Sequence, residues 1–305
     1  MFWLFIATFA YLLIALQSTL DKFLLSSRRV GHPATYTFYS GLLSLTAILL
    51  LPFGFHLIAP AVAAWEILAG AVFSYGVFFL FWAIRDHEAT QVVPVVGAVT
   101  AVATYVFSFL LLGERLDRPE LWGITLLVLG GLFISLDFSP QRLRRIFLGF
   151  ESSLFSGLLL ALAYTWFKKF FESDNFVNVY IWTRLGLMLG AASLLLYPAW
   201  RKIIWSSLLK FKKPAGQDAH TGSIFVLNKT VGGVGSFLLN YAISLGSVTI
   251  VNALISLEYV FIFFLVWGFS FWVAKIFDER RDWVTMAQKL TAVVIITVGM
   301  FLVAR

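Results

Sequence analysis

Trp82-Ala83-Ile84 through Thr90-Gln91-Val92 returns in altered form as Tyr241-Ala242-Ile243 through Thr249-Ile250-Val251. In each stretch an aromatic-Ala-Ile run closes one apolar segment and a threonine opens the next at the same distance. Working outward, Asp21-Lys22-Phe23 aligns with Phe167-Lys168-Lys169, and Leu51-Pro52 with Tyr197-Pro198. Near the ends, Gly113-Glu114-Arg115 aligns with Asp278-Glu279-Arg280. The chain therefore reads as two copies, Thr8 to Leu136 and Leu154 to Ala304, assigned as five-helix repeats over 1–138 and 150–305. An odd number of membrane crossings per copy makes the second enter from the opposite side.

Composition supplies the medium. Of 305 residues, 60% are hydrophobic and only 13% charged, and the mean hydropathy is +0.88. Too little polar surface is left to cover a water-soluble fold of this size, so the expected class is an all-α polytopic membrane protein. A spanning helix needs about 20 mostly apolar residues. Ten segments qualify, near 2–21, 34–52, 63–84, 91–112, 120–136, 152–171, 177–198, 223–244, 248–273 and 284–304. Breakers such as Gly31-His32-Pro33, Ser139-Pro140 and Lys213-Pro214-Ala215-Gly216 fall between them. The longest polar connection, Arg201 to Thr221, hides no soluble domain. Phe2 to Leu16 lacks a basic leader and a cleavage site, so it reads as a first span.

The net charge of +7 sits in interhelical loops and is a topology signal, with no nucleic-acid partner implied. Of the 23 lysines and arginines, Lys22, Arg28, Arg29, Arg85, the Arg142–Arg145 cluster, Arg201, Lys202, Lys210–Lys213, Lys275, Arg280, Arg281 and Lys289 gather on one side. Arg115, Arg118, Lys168, Lys169 and Arg305 take the other. The positive-inside rule places the first group in the cytoplasm and both termini outside, in a plasma (inner) membrane.

Two five-span halves, Pro94 inside the fourth span and the ending Leu112-Gly113-Glu114-Arg115-Leu116 resemble the EamA branch of the drug/metabolite transporter superfamily. The resemblance implies a ten-helix carrier with a central cavity and alternating access. It spans nearly the whole chain, although Asp278-Glu279 stands where Gly113-Glu114 would recur. Relatives of this kind handle amino acids, nucleotide sugars, organic phosphates, amines and drugs, so the resemblance leaves the cargo open.

Charges at membrane depth are costly and face protein or water, which makes each a site candidate. Two cations remain outside the loops, Arg184 in span seven and Lys229 in span eight, and Glu258 lies in span nine. Lys229, Gly232, Gly233, Ser236 and Asn240 share one helical face; the competing reading is helix packing with Lys229 snorkelling. Arg184 stands near a Gly186/Gly190 pair that equally serves packing. Glu258 reads as counter-ion to a buried cation or as a proton-coupling acid. Asn252, Ser256 and Tyr259 line the polar face of span nine. Thr104 and Tyr105 belong to the stripe Thr90, Pro94, Gly97, Ala101, Thr104, Tyr105 and Ser108, and Tyr11 to a similar stripe in span one. Trp82, Trp166 and Trp182 read as interface anchors, and Glu66 and Glu114 as interfacial, Glu114 beside the start of span five.

Cysteine is absent, the four histidines show no ligand spacing, and no GxxxxGK[ST] loop occurs. No enzyme, metal or cofactor is expected. The favoured reading is a secondary transporter of a small polar metabolite, an amino acid or organic anion, because two deep cations face one acid. The alternative is a proton-coupled exporter of cationic or hydrophobic compounds with Glu258 taking the amine. A lipid scramblase is the rival from another class. Ten spans in one chain suffice for a monomer working in the bilayer, with protons as a coupling ion.

Overall fold

Inside hydrocarbon every backbone polar group must be satisfied internally, which a helix does with its own bonds. The computed structural model describes residues 2–25, 32–86, 89–135, 150–210, 217–269 and 283–304, and among them there is no strand. The helices are α1 (Phe2–Leu25), α2 (Pro33–Ser44), α3 (Pro60–Asp86), α4 (Ala89–Leu112), α5 (Arg118–Ser135) and α6 (Phe150–Phe171). There follow α7 (Phe176–Ser193), α8 (Pro198–Lys210), α9 (Gln217–Leu245), α10 (Val248–Ala253), α11 (Ile255–Phe269) and α12 (Trp283–Val303). Short 3-10 segments, Leu45–Phe53 and Leu194–Leu196, prolong α2 and α7.

Nine segments among the described residues are long and apolar enough to cross a membrane, and their limits follow the expected spans closely. The eighth expected span lies in α9, which is long enough at 29 residues but is not one of the nine. Asn228, Lys229, Ser236, Asn240 and a run of glycines make it the polar member of the set.

Two expectations are corrected. The ninth span is not one long helix: a turn at Leu254 separates α10 from α11. The connection after Arg201 is not a plain polar loop either, since Pro198–Lys210 is helical. Its Ile204 is fully buried, clustering with Ala34, Phe78 and Leu194 while Trp200 packs alongside. Ser139-Pro140, Lys213–Gly216, Asp278-Glu279-Arg280 and most of the loop cations used for orientation lie outside the described residues.

Local chemistry explains the helix ends. Gly113 adopts φ 68°, and Glu114 N–H reaches back to the Ser108 carbonyl at 3.2 Å. This is the glycine-terminated closure that a residue with a Cβ resists, so the Gly-Glu pair is a helix stop. Glu120, rather than Glu114, serves the start of α5, its carboxylate accepting from Asp117 N–H at 2.8 Å.

His32 caps α2: its ring accepts from Ala34 N–H, with Pro33 next in line. Only the neutral ring can accept that bond. Burial, aided by the Arg85 charge, holds the His32 pKa below its ordinary value. The unfolded chain therefore takes up this proton first, so the cap's contribution to stability declines as pH falls below about 6.5 and is gone once the ring protonates in the fold, at a lower pH. His32→Asn, a cap that does not titrate, is expected to flatten the acid limb of a melting-temperature profile. His32→Ala is expected to cost about 1 kcal/mol at neutral pH.

The chain forms two compact units, one of residues 1–29, 115–143 and 218–305, the other of 30–114 and 144–217. Each draws on both sequence copies. In the first, α5 packs on α12 and α1 on α11. Gly123 and Gly299 bring the α5 and α12 backbones together, each facing the other's carbonyl. In the second, α3 lies against both α6 and α7, α4 against α6, and α2 against α7. Here a Cβ at Gly70 would strike the Thr183 carbonyl, and one at Gly186 the carbonyl of Ile67. Small residues at such contacts are how membrane helices gain van der Waals packing without a hydrophobic driving force.

Candidate functional site

Within the first unit, the break at Leu254 disturbs the regular i−4 bonding around it. Leu254 N–H keeps its i−4 bond to the Ile250 carbonyl, but Leu257 N–H bonds the Leu254 carbonyl, an i−3 step, and Tyr11 Oη donates to the Val251 carbonyl at 2.9 Å. A span-one tyrosine thus serves a carbonyl at a broken span, the kind of irregular backbone that membrane proteins tolerate only inside protein or along a cavity. Asn252 and Thr249 on α10 are buried. One turn beyond the break, the Ser256 hydroxyl bonds the Leu127 and Ala253 carbonyls. Ser256 and Tyr259 also press on Gly131 of α5, so this part of the span-nine face is turned into helix packing.

Glu258 is buried at 5% exposure and accepts a hydrogen bond from Ser18 of α1 at 2.9 Å. It points at a neighbouring helix, and among the described residues it makes no ion pair. On α9, Lys229 is half-buried. Gly232 lies against the Gln17 side chain and Gly235 against Ile14, whereas Gly233 has nothing within 4 Å. Asn240 is buried and donates to its own helix at Ser236, at 2.8 Å. The expected polar face therefore divides: Gly232 packs on α1, and Gly233 faces open space.

The second unit holds Arg184, Thr104 and Tyr105. Arg184, 6% exposed, lays its guanidinium over the Tyr180 ring at 4.4 Å and within 5.9 Å of Phe73. Such stacking suits a planar, weakly hydrated cation at depth. Its neighbourhood is aromatic, since Phe73 also meets Tyr164 and Phe167. Thr104 is fully buried and bonds back to the Thr100 carbonyl at 2.7 Å. Thr100 in turn bonds Val96 and reaches Gly157 of α6. That stripe of span four is the seam with α6, and Tyr105 beside it is half-buried.

Glu66 is not interfacial. It is 1% exposed, and its Oε2 has no hydrogen-bond partner. Nor does Trp182 present its N–H to a headgroup layer, because that atom is buried without a partner. Proximity to a helix start made Glu66 look exposed; the segment leading into α3 is held to the α6–α7 turn and α7, Asn175 donating to the Gly54 carbonyl at 3.1 Å and His56 N–H to Asn178 at 3.2 Å. The turn is tied down by Asp174, which pairs with His56 at 3.2 Å and accepts from Asn178 at 2.6 Å. The signal available in the sequence was Gly70, one turn beyond Glu66, matching Gly186 on a partner helix.

Residues 1–136 match the EamA-like transporter family. That stretch, under half of the chain, is EamA-like. With nine apolar helices long enough to span among the described residues, the likeness supports an integral membrane protein of the EamA type. The matched stretch contains Tyr11, Glu66, Thr104 and Tyr105, while Arg184, Lys229 and Glu258 lie beyond it. No curated protein matches the chain. Sixteen chains of solved structures do; one crystal structure aligns with a TM-score of 0.64 over 97% of this chain and 95% of its own, at 17% identity. That likeness speaks for the fold alone.

Proposed function

We propose that the protein is a secondary carrier of a small polar metabolite bearing a carboxylate, an amino acid or an organic anion. It works by alternating access between two inverted five-span copies, 1–138 and 150–305. The observation that carries the reading is Arg184, a cation nine-tenths buried within a span and framed by Tyr180 and Phe73. A buried guanidinium in a transporter is a functional group by default, and its fork geometry recognises carboxylates. Recounting the buried charges changes the balance. Glu66 joins Glu258, so the deep groups are two cations and two acids rather than a positive excess. A zwitterionic amino acid fits that balance better than a multiply charged anion.

Packing supports the two-copy organisation. Span four lies on span six in one unit and span nine on span one in the other, a pair of contacts that interchange when the copies are exchanged. Repeats related in this way place substrate near the membrane midplane. With the basic loops in the cytoplasm, both termini lie outside the inner membrane, and one chain suffices as the working unit.

The test is thermal stabilisation of the purified protein by a panel of amino acids, dicarboxylates, phosphorylated metabolites and bare amines. Carboxylate-bearing compounds at about 100 times their Kd are expected to raise the melting temperature by several degrees. Stabilisation by bare amines, with none by carboxylates, would sink this reading and leave the amine-exporter alternative standing.

A further inference from the structure

We propose that Glu66 is a proton-binding site whose occupancy controls the contact between α3 and α7: protonated Glu66 is accommodated in the closed contact, and loss of the proton opens it. This concerns the protein's own packing and stands whatever the cargo is.

Glu66 lies on α3 next to Ile67, whose carbonyl faces Gly186, and one turn before Gly70, whose Cα faces the Thr183 carbonyl. The two backbones are in contact at this level, without room for even a Cβ. Glu66 is itself buried, and its Oε2 finds no donor. A bare carboxylate so placed costs several kcal/mol, and it is neutralised only by something small enough to enter. A proton meets that requirement; an ammonium group or a metal ion with its shell does not.

Among the described residues Glu66 makes no ion pair. On α7, Arg184 turns its guanidinium onto Tyr180 and Phe73. The α6–α7 turn adds an acid, Asp174, and no cation beyond those of α6. Asp174 is itself engaged with His56 and Asn178. On α6, Lys168 pairs with Glu172 at 3.4 Å, beside Lys169 and Tyr164. Neither α2 nor α4 carries an acid or base other than tyrosine. On the same two helices, the Ser74 hydroxyl of α3 and the Trp182 indole N–H of α7 are also buried without a hydrogen-bond partner.

The chain has no cysteine, so the contact can be read by chemistry placed at will. Tyr75 and Ser193 touch across α3 and α7, hydroxyl to hydroxyl, at 2.7 Å. The double variant Tyr75→Cys/Ser193→Cys, purified in detergent, is treated with a short bismaleimide from pH 5 to 9, alone and with Glu66→Gln added. The Glu66→Gln protein reports the reagent's own pH dependence. Relative to it, cross-linking of the Glu66 protein is expected to match at pH 5 and fall several-fold by pH 9. Equal yields at every pH would overturn the proposal. So would a fall of the same size in Glu66→Gln, since Glu66 would then not be its source. Should Glu66→Gln fail to purify, Glu66→Met supplies the uncharged reference.

Discussion

Gly186→Val is expected to leave almost no folded protein, judged by the monodisperse fraction on size exclusion and by the melting temperature of what remains. The reason is geometric. A Cβ at Gly186 runs into the carbonyl, carbon and Cα of Ile67, all backbone, so no rotamer change relieves the clash. The helices must separate, and with them go the contacts of α3 on α7 and the seating of Glu66. An overpacking penalty of about 3 kcal/mol or more is expected, at the upper end for single substitutions. Gly70→Val should cost as much, and the pair should cost less than the sum because both act on one contact. Gly233→Ala is the counter-case: nothing lies within 4 Å of its Cβ position, and helix propensity favours alanine by up to about 1 kcal/mol. If Gly186→Val purified with an unchanged melting temperature, the α3–α7 contact would not be a backbone contact.

That contrast shows what the sequence displays and what it withholds. Spans are legible because the bilayer imposes one length and one polarity on every crossing; the limits of α1, α4 and α7 follow from composition. Gly113 could be read as part of a family ending, yet its physical office, a left-handed residue closing α4, needed the backbone. The break at Leu254 was invisible, since neither glycine nor proline marks it and every residue from Val248 to Val266 is compatible with one helix. The α8 helix was missed for a different reason. At 13 residues it is too short for a span and too polar on average to stand out, although Trp200, Ile204 and Ser207 meet the protein.

The candidate residues divide the same way. Rarity marks a charge inside a span, so Arg184, Lys229 and Glu258 could be picked without coordinates. Whether a side chain serves packing or a cavity depends on its neighbour, which periodicity does not name. Ser256 and Thr104 matched a polar stripe, and both hydroxyls are absorbed by nearby carbonyls. Glu66 was discounted because a position near a helix start resembles an interface. Close packing there comes from α7, distant in sequence, whose backbone meets α3 at Ile67 and Gly70.

Arg184→Met is expected to lower transport of the most stabilising carboxylate by about 100-fold or more in proteoliposomes, with melting temperature changed by only a few degrees. Methionine keeps much of the apolar length against Tyr180 and Phe73, so packing survives while the charge and the fork of donors are lost. Removing one partner of a buried charged hydrogen bond costs about 2–5 kcal/mol, which is roughly 30- to 4,000-fold in affinity at 1.4 kcal/mol per decade. Arg184→Lys separates charge from shape: it retains a cation but neither the plane over Tyr180 at 4.4 Å nor bidentate geometry. About a tenth of the wild-type rate is expected of it. The loss should follow the carboxylate, so that an amino acid amide, which keeps the amine and lacks the acid, is moved poorly by wild type and no worse by Arg184→Met. Equal transport of acid and amide by wild type, or undiminished transport by Arg184→Met, would remove Arg184 from the binding site. The buried guanidinium would then be a structural stack on Tyr180.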